Sequence, residues 1–281
     1  MEQVRIPSGD LVLDAVVTGP EDGPVVVLLH GFPQSSRSWA GVWPTLAGAG
    51  LRVVAPDLRG YSPDARPVGV EHYRMPLLVE DVLAVVDATG GQPVHLVGHD
   101  WGAAIAWHVA ARHPESLRTL TAVSVPHPLA FVEALTSDDD QRRRSRYMRD
   151  WQSPETEQTL LSGGLAEVFG GMPELDVEPY VAAMRVPGAL TAALSYYRAQ
   201  SRADLEGLGP VTTPTMHVWS DQDAALGRAG AVATAAHVAG PYRFEVLQGV
   251  SHWVPEQAPD RLSHLLLSHL LPQHLLPQHR R

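Results

Sequence analysis

The stretch Leu96-Val97-Gly98-His99-Asp100-Trp101-Gly102 decides the fold of this chain. A mostly apolar run, residues 94–97, leads into it, and a stretch with a helical pattern, residues 103–111, follows. An apolar strand, a Gly-x-x-x-Gly turn and a helix in this order are typical of a nucleophile elbow, where the attacking side chain stands at the tip of a strained turn. Serine usually occupies that tip. Here Asp100 does, so the sequence predicts a carboxylate nucleophile.

Replacing serine with aspartate changes the predicted chemistry. A serine alkoxide attacks an acyl carbon, whereas a carboxylate can displace a leaving group from a saturated carbon. The product is then an ester of the protein's own side chain, and water must cleave it. The sequence therefore predicts alkyl transfer to Asp100 followed by hydrolysis.

The composition excludes several classes of function. The chain has 281 residues and a net charge of -10, which argues against a nucleic-acid partner or an anionic membrane surface. It contains no cysteine, so disulfides and thiolate metal sites are excluded. It also contains no lysine and no asparagine. With no signal-like segment and no apolar run of membrane-spanning length, we expect a cytoplasmic protein without a membrane partner.

Strands and helices alternate along most of the chain. An alternating pattern over residues 4–17 predicts a hairpin. Predicted strands follow at residues 25–29, 51–54, 94–97, 120–123, 215–219 and 244–247. Predicted helices cover residues 39–46, 77–88, 103–111 and 255–270. This order predicts an α/β fold with a mostly parallel, doubly wound sheet.

The alternation stops between residues 128 and 210, where the pattern is helical throughout. Ser137 with three aspartates after it predicts a helix start in this region. We therefore predict a core formed by residues 1–127 and 211–281, with a helical cap at 128–210. The tail LLPQHLLPQHRR, residues 270–281, spaces its histidines five apart, which does not line one helix face. A frayed end is favoured there, with a metal site as the alternative.

A carboxylate nucleophile needs a base to activate water and an acid to orient that base. In this fold both follow late strands, in the order nucleophile, acid, histidine. Asp221 and Asp223 follow the strand that ends at Trp219, and His252 follows the last predicted strand. Spacing alone leaves both aspartates open as the acid.

The charge that develops during ester hydrolysis needs backbone N–H donors. The elbow supplies one from Trp101, and the loop after the strand at residues 25–29 supplies another. That loop is His30-Gly31-Phe32-Pro33, in which Gly31 allows close approach and Phe32 is placed to offer its N–H. His30, Gly31 and Pro33 are its predicted supports.

The assembled motifs resemble the epoxide hydrolases of the α/β-hydrolase fold. The matching segments are HGFPQSSRSW at 30–39, DLRGYSP at 57–63, GHDWGAAIAW at 98–107, VPHPLAF at 125–131 and SHWVPEQAPDRL at 251–262. The resemblance implies that Asp223 is the acid and that the Phe32–Pro33 peptide is cis. Ser220 and Ser251 stand where this family commonly has glycine, and we expect altered local hydrogen bonding there.

The same resemblance implies two tyrosines in the cap. Opening an epoxide leaves an alkoxide, which needs a proton donor, and a tyrosine with a pKa near ~10 keeps its proton at neutral pH. RRRSRYMRDWQSPE at 142–155 resembles the segment of the first tyrosine and places it at Tyr147. LSYYRAQ at 194–200 resembles the second and favours Tyr197, with Tyr196 as an alternative.

The predicted function is hydrolysis of a small epoxide by water, without a cofactor or metal. Haloalkane dehalogenases use the same nucleophile but commonly hold halide with an asparagine where this chain has Phe32. Fluoroacetate dehalogenases carry an arginine after the nucleophile, where this chain has Trp101. A non-catalytic ligand-binding hydrolase fold is the alternative of another class. A homodimer is left open.

Overall fold

A computed structural model describes residues 1–170, 172 and 174–271 of the chain. The predicted frayed end at 270–281 therefore lies almost entirely outside the described residues. Eight strands form one sheet: β1 Glu2–Ser8, β2 Leu11–Thr18, β3 Val25–Leu29, β4 Arg52–Pro56, β5 Val94–His99, β6 Leu117–Val123, β7 Thr215–Ser220 and β8 Tyr242–Leu247.

The sheet has the strand order β1-β2-β4-β3-β5-β6-β7-β8. The hairpin β1–β2 is antiparallel and joins β4 in antiparallel pairing, while β3 to β8 run parallel. This is the mostly parallel, doubly wound sheet that the sequence predicts. Every residue of β5 is buried, as expected for a central parallel strand covered on both faces.

Thirteen α-helices occur in the part of the chain that the structure describes. They are α1 Trp43–Gly48, α2 Met75–Ala88, α3 Trp101–Arg112, α4 Pro128–Ser137, α5 Asp139–Arg144, α6 Arg146–Asp150, α7 Thr156–Thr159, α8 Leu165–Val168, α9 Glu174–Met184, α10 Ala189–Ala199, α11 Arg228–Ala233, α12 Val254–Gln257 and α13 Pro259–Leu270. None of them is long and apolar enough to cross a membrane.

The core has two layers, one on each face of the sheet. Successive side chains of a strand point to opposite faces, so Leu96 packs in the layer with α2 and α3, whereas Val97 packs in the layer with α1 and α13. Both layers are apolar and fully buried near β5. The carboxyl end of β5 is thereby held in a fixed position, and that end carries Asp100.

Helices α4 to α10 occupy the region between β6 and β7, where the sequence predicts the cap. Two local predictions were wrong. Ser137 ends α4 and donates its hydroxyl to the Glu133 carbonyl, while the Asp138 carboxylate caps α5 by accepting from the Gln141 N–H. The helix predicted at 255–270 is two helices, because Pro259 disfavours helical backbone at the preceding Ala258, which has φ -137° and ψ 45°.

Candidate active site

Asp100 stands at the tip of a strained turn between β5 and α3. Its backbone has φ 51° and ψ -120°, a region that non-glycine residues rarely adopt. A Cβ at Gly98 would collide with the Gly102 carbonyl, and a Cβ at Gly102 would collide with the Leu29 carbonyl. Both glycines are therefore required for this turn. The turn aims the Asp100 side chain away from the sheet, as the sequence predicts for an elbow.

Two residues that follow late strands, His252 and Asp223, lie in a row with Asp100. His252 lies with Nε2 3.4 Å from Asp100 Oδ2 and Nδ1 2.8 Å from Asp223 Oδ2. Asp223 is fully buried, and its Oδ1 accepts hydrogen bonds from the backbone N–H groups of Ala225 and Leu226. The structure thus places Asp223 against His252.

The other candidate acid points elsewhere. Asp221 is exposed, and its Oδ1 accepts from the N–H of Gly249 in the turn after β8. It makes a turn contact and does not reach His252. The neighbouring Ser220 hydroxyl donates to the Ser251 carbonyl at 2.8 Å, which is the altered hydrogen bonding expected of these two serines.

Burial, charge and hydrogen bonds shift the pKa values of Asp100 and His252. Burial would raise the pKa of Asp100, but the hydrogen bond and charge of His252 lower it below its ordinary value. Burial would lower the pKa of His252, but the charge of Asp223 and the hydrogen bond to Asp100 raise it well above its ordinary value. The resting site is consequently an imidazolium between two carboxylates.

The oxyanion loop follows β3 and contacts Asp100 directly. The Phe32 N–H donates to Asp100 Oδ1 at 2.7 Å, and a Cβ at Gly31 would overlap the Asp100 side chain. Trp101 is the first residue of α3, so its N–H has no acceptor within the helix. The Phe32–Pro33 peptide is cis, as the resemblance implies. The Phe32 N–H thus faces Asp100, and the role of the Trp101 N–H as the second donor stays a prediction.

His30 fixes the conformation of this loop through two hydrogen bonds of its ring. Its Nδ1 donates to the Gly31 carbonyl at 2.9 Å and its Nε2 accepts from the Leu58 N–H at 3.0 Å. Burial lowers the pKa of His30, which keeps the ring neutral and fits one donor and one acceptor. His30 therefore ties the loop after β3 to the loop after β4.

Two cap tyrosines line the cavity above Asp100. Tyr147 on α6 and Tyr197 on α10 have ring centroids 6.2 Å apart, and both side chains line the space that Asp100 faces. Burial raises the pKa of each phenol, so both keep their protons at neutral pH. Tyr196 is different, because its fully buried hydroxyl donates to the Arg59 carbonyl at 2.7 Å.

The space around Asp100 forms two chambers that share Asp100, Tyr147 and Tyr197. The first, about 350 Å³, has mainly apolar walls that include Met75, Val125, Phe131, Met148 and Leu226. The second, about 270 Å³, has aromatic walls that include Phe32, Trp151, His252 and Trp253. A ligand at Asp100 can therefore extend to either side.

A set of polar residues next to the His252 backbone, all buried except the half-buried Glu256, was not predicted from the sequence. His99 lies 2.9 Å from the His252 carbonyl through Nε2, and Gln34, Glu256 and Tyr180 continue the row. His99 lies in the nucleophile elbow and Gln34 in the segment of the oxyanion loop. Both motifs were interpreted through other residues, so no role was predicted for these two side chains. Among the described residues, no three His, Asp or Glu side chains are arranged to hold a metal ion.

The fold and this site define an α/β hydrolase with a carboxylate at the nucleophile position. Comparisons with known proteins agree. Residues 24–259 match the α/β-hydrolase fold family. The protein YfhM of Bacillus subtilis, an AB hydrolase superfamily protein, is 33% identical over 92% of this chain and 93% of its own length.

Epoxide hydrolases are among the most similar proteins. Epoxide hydrolase 3 of Xenopus tropicalis is 31% identical over 94% of this chain and 76% of its own length. A solved structure described as a novel epoxide hydrolase from metagenomes of hot environments superposes with a TM-score of 0.87, covering 96% of this chain and 99% of that one at 28% identity. The chain belongs to the epoxide hydrolase family of the α/β-hydrolase fold.

Proposed function

We propose that this protein hydrolyses epoxides to vicinal diols through an ester on Asp100. The observation that carries the proposal is the pair of protonated phenols, Tyr147 and Tyr197, that line the same cavity as the buried Asp100 carboxylate. Asp100 supplies a nucleophile for one epoxide carbon, and the tyrosines supply hydrogen bonds to the oxygen that leaves.

The two oxygens of Asp100 have different surroundings, which supports a different role for each. Oδ1 accepts from the Phe32 N–H, and Oδ2 lies toward His252. In the proposed first step Oδ2 attacks carbon, the C–O bond of the epoxide breaks, and the alkoxide takes up one proton. That proton comes from one of the two tyrosines, and the imidazolium of His252, which no longer faces a carboxylate at Asp100, releases one proton that restores the phenol.

The second step cleaves the ester with water. His252 Nε2, now next to an uncharged ester, accepts a proton from water while the water oxygen attacks Cγ of Asp100. Negative charge develops on Oδ1, where the N–H groups of Phe32 and Trp101 stabilise it. Collapse breaks the ester bond, and the proton of the new hydroxyl on Cγ passes to the departing alkoxide. The diol is released, and Asp100 is again a carboxylate beside the imidazolium of His252.

The two chambers support a substrate with substituents on both epoxide carbons. An aliphatic arm fits the walls of the larger chamber, and an aromatic group fits the aromatic walls of the smaller one. A haloalkane is less suited to the site, because the chain has no asparagine to help Trp101 bind halide.

Trapping the ester tests the proposal. His252→Gln, mixed with a small panel of disubstituted epoxides, should accumulate Asp100 with the mass of one epoxide added, visible by mass spectrometry of the peptide that contains it. Asp100→Ala in the same background should show no adduct and no diol. Ligand bound and released unchanged would favour the binding protein, and an adduct from a matched haloalkane alone would favour a dehalogenase.

We also propose a cytoplasmic location, which a cysteine-free chain of net charge -10 supports. A homodimer stays a prediction, and analytical ultracentrifugation of the purified protein tests it.

A further inference from the structure

A row of polar side chains, all buried except the half-buried Glu256, connects α9 to the backbone of His252. The Tyr180 hydroxyl, on α9, donates to Glu256 Oε1 at 3.1 Å, and the Gln34 amide contacts the same oxygen. The other atom of that amide lies 3.1 Å from His99 Nδ1. His99 Nε2 lies 2.9 Å from the His252 carbonyl oxygen. The row thus ends on the residue that serves as the base.

The hydrogens in this row do not balance if Glu256 is ionised and His99 is neutral. His99 Nε2 must donate, because its partner is a carbonyl oxygen. If the Gln34 oxygen also faces His99, then Nδ1 must donate as well, and only an imidazolium has two N–H groups. If the amide is reversed, its NH₂ group donates to Nδ1 and its oxygen faces Glu256, which must then carry a proton to donate. Either arrangement contains one extra proton.

The surroundings place that proton on Glu256. The His99 ring lies 4.9 Å from the ring of His252, which is already a cation between Asp100 and Asp223, so a second cation there is repelled. Glu256 Oε2 is buried without a hydrogen-bond partner, which is costly for a carboxylate and much less so for a neutral acid. Burial lowers the pKa of His99 to about 4 and raises that of Glu256 to about 7.

We propose that Glu256 is a protonated positioning residue that, through Gln34 and His99, holds the backbone of the His252 loop in its working position. The Glu256 O–H donates to the Gln34 carbonyl, the Gln34 NH₂ group donates to His99 Nδ1, and His99 Nε2–H donates to the His252 carbonyl. The Ser124 hydroxyl also donates to that carbonyl, at 3.3 Å. Loss of the proton from Glu256 removes the donor that fixes the amide and leaves a buried charge.

Other charged and titratable groups face this row and bear on its pH dependence. Arg37 and Asp176 act on Tyr180, while His252, Asp100 and Asp223 act on His99, and His252 also acts on Glu256. His252 favours the ionised form of Glu256, yet burial outweighs it. Of His99, His252 and Glu256, only Glu256 has a pKa of about 7.

The protonation is testable without any substrate. Glu256→Gln keeps a neutral group that can donate to Gln34 but cannot titrate. An unfolded glutamate loses its proton near ~4.3, whereas the native one keeps it to about pH 7. Between about pH 5 and 6.5, native wild-type protein therefore binds one proton more than the unfolded chain. Its unfolding equilibrium constant, divided by that of Glu256→Gln, should rise about tenfold per pH unit. A ratio that is flat over this range would overturn the proposal.

The positioning role rests on the proposed function and needs the Asp100 ester. In single-turnover experiments at pH 6, Glu256→Leu should cleave the ester about 10- to 100-fold more slowly than wild type, while Glu256→Gln stays within about threefold. Wild type should also lose hydrolysis rate above about pH 7, and Glu256→Gln should not. Equal loss in both variants, or an alkaline loss that persists in Glu256→Gln, would refute positioning by a protonated Glu256.

These measurements separate the two proposals. If wild-type protein forms no ester from any epoxide, the proposed function fails, and the unfolding experiment still decides whether Glu256 is protonated. If Glu256→Leu does not fold, the comparison of wild type with Glu256→Gln across pH remains decisive.

Discussion

At the scale of single residues, neighbouring side chains of the same type make different contacts and have different roles. Tyr196 and Tyr197 are adjacent on α10, yet the hydroxyl of Tyr196 is used by the Arg59 carbonyl, while Tyr197 lines the cavity with Asp100. Asp221 and Asp223 are two positions apart, yet only Asp223 reaches His252. These two pairs supply matched controls for the proposed mechanism.

The first prediction concerns the two tyrosines that line the cavity, with Tyr196 as the control. Changing both Tyr147 and Tyr197 to phenylalanine should slow ester formation by at least about 10²-fold, because each hydrogen bond to a developing alkoxide contributes about 1.5–3 kcal/mol. Rapid-quench mass spectrometry of the Asp100 peptide measures this rate. Tyr196→Phe is the control, and it should lower stability without changing the rate. An unchanged rate in the double variant would make the cap tyrosines packing residues.

The aspartate pair gives the second. Asp223→Asn should leave His252 without its charged partner, which disfavours the proton that His252 must accept from water. We expect ester hydrolysis to slow by roughly 10³–10⁴, by analogy with the acid of a serine triad. Asp221→Asn, which alters only the turn at Gly249, should hydrolyse the ester at nearly the wild-type rate. Comparable losses in both variants would mean that the effect comes from the loop and not from the contact with His252.

At the scale of elements, the sequence predicts the sheet well because its strands are simple. Parallel strands covered on both faces are continuous apolar runs, and β3 was predicted to the residue. The ends of the elements were predicted less accurately. The start of a helix depends on which of several adjacent side chains accepts a hydrogen bond from a free backbone N–H. Ser137 and Asp138 compete for one such role, and only the fold shows that Asp138 fills it.

The sequence identifies site residues that lie in motifs, but contacts between distant elements are beyond it. Glu256 and Tyr180 are 76 positions apart, and neither has a periodic pattern or a motif that indicates their contact. The buried ion pair of Arg59 and Asp81 is a second contact between distant elements that the sequence does not predict. Arg59 Nε lies 2.7 Å from Asp81 Oδ2, and the Ser8 hydroxyl donates to Asp81 Oδ1. It joins the loop after β4 to α2 and β1.

That ion pair gives a prediction about how the elements hold together. Asp81→Ala should lower the free energy of unfolding by about 3–5 kcal/mol, because it leaves the Arg59 guanidinium buried without its carboxylate. Asp64→Ala, which removes an exposed partner of Arg5, should cost about 1 kcal/mol or less. Urea unfolding of both variants measures the difference. Equal small losses would show that Arg59 finds water or another acceptor.

At the scale of the whole molecule, buried neutral histidines make stability depend on pH. Burial lowers the pKa values of His95, His99, His108 and His217 to about 4 and that of His127 to about 3. Unfolding exposes these rings and returns their pKa to about 6.5. Below that pH the unfolded chain binds more protons than the native protein, so acid favours unfolding.

We therefore expect cooperative acid unfolding well above the pH at which carboxylates titrate. Each of the five histidines can cost up to ~1.4 kcal/mol per pH unit below 6.5, so the upper limit is ~7 kcal/mol at pH 5.5, against a typical stability of ~5–15 kcal/mol. His252 adds no loss, because its native pKa is raised and it is already protonated at neutral pH. Urea unfolding between pH 7 and 5 measures the slope of the free energy of unfolding against pH. His95→Gln can keep the contact with Thr119 and should reduce this slope by the equivalent of about one proton taken up on unfolding. His72→Gln, at an exposed position, should leave it unchanged, and a slope equal in all three proteins would assign the acid sensitivity to groups other than the buried histidines.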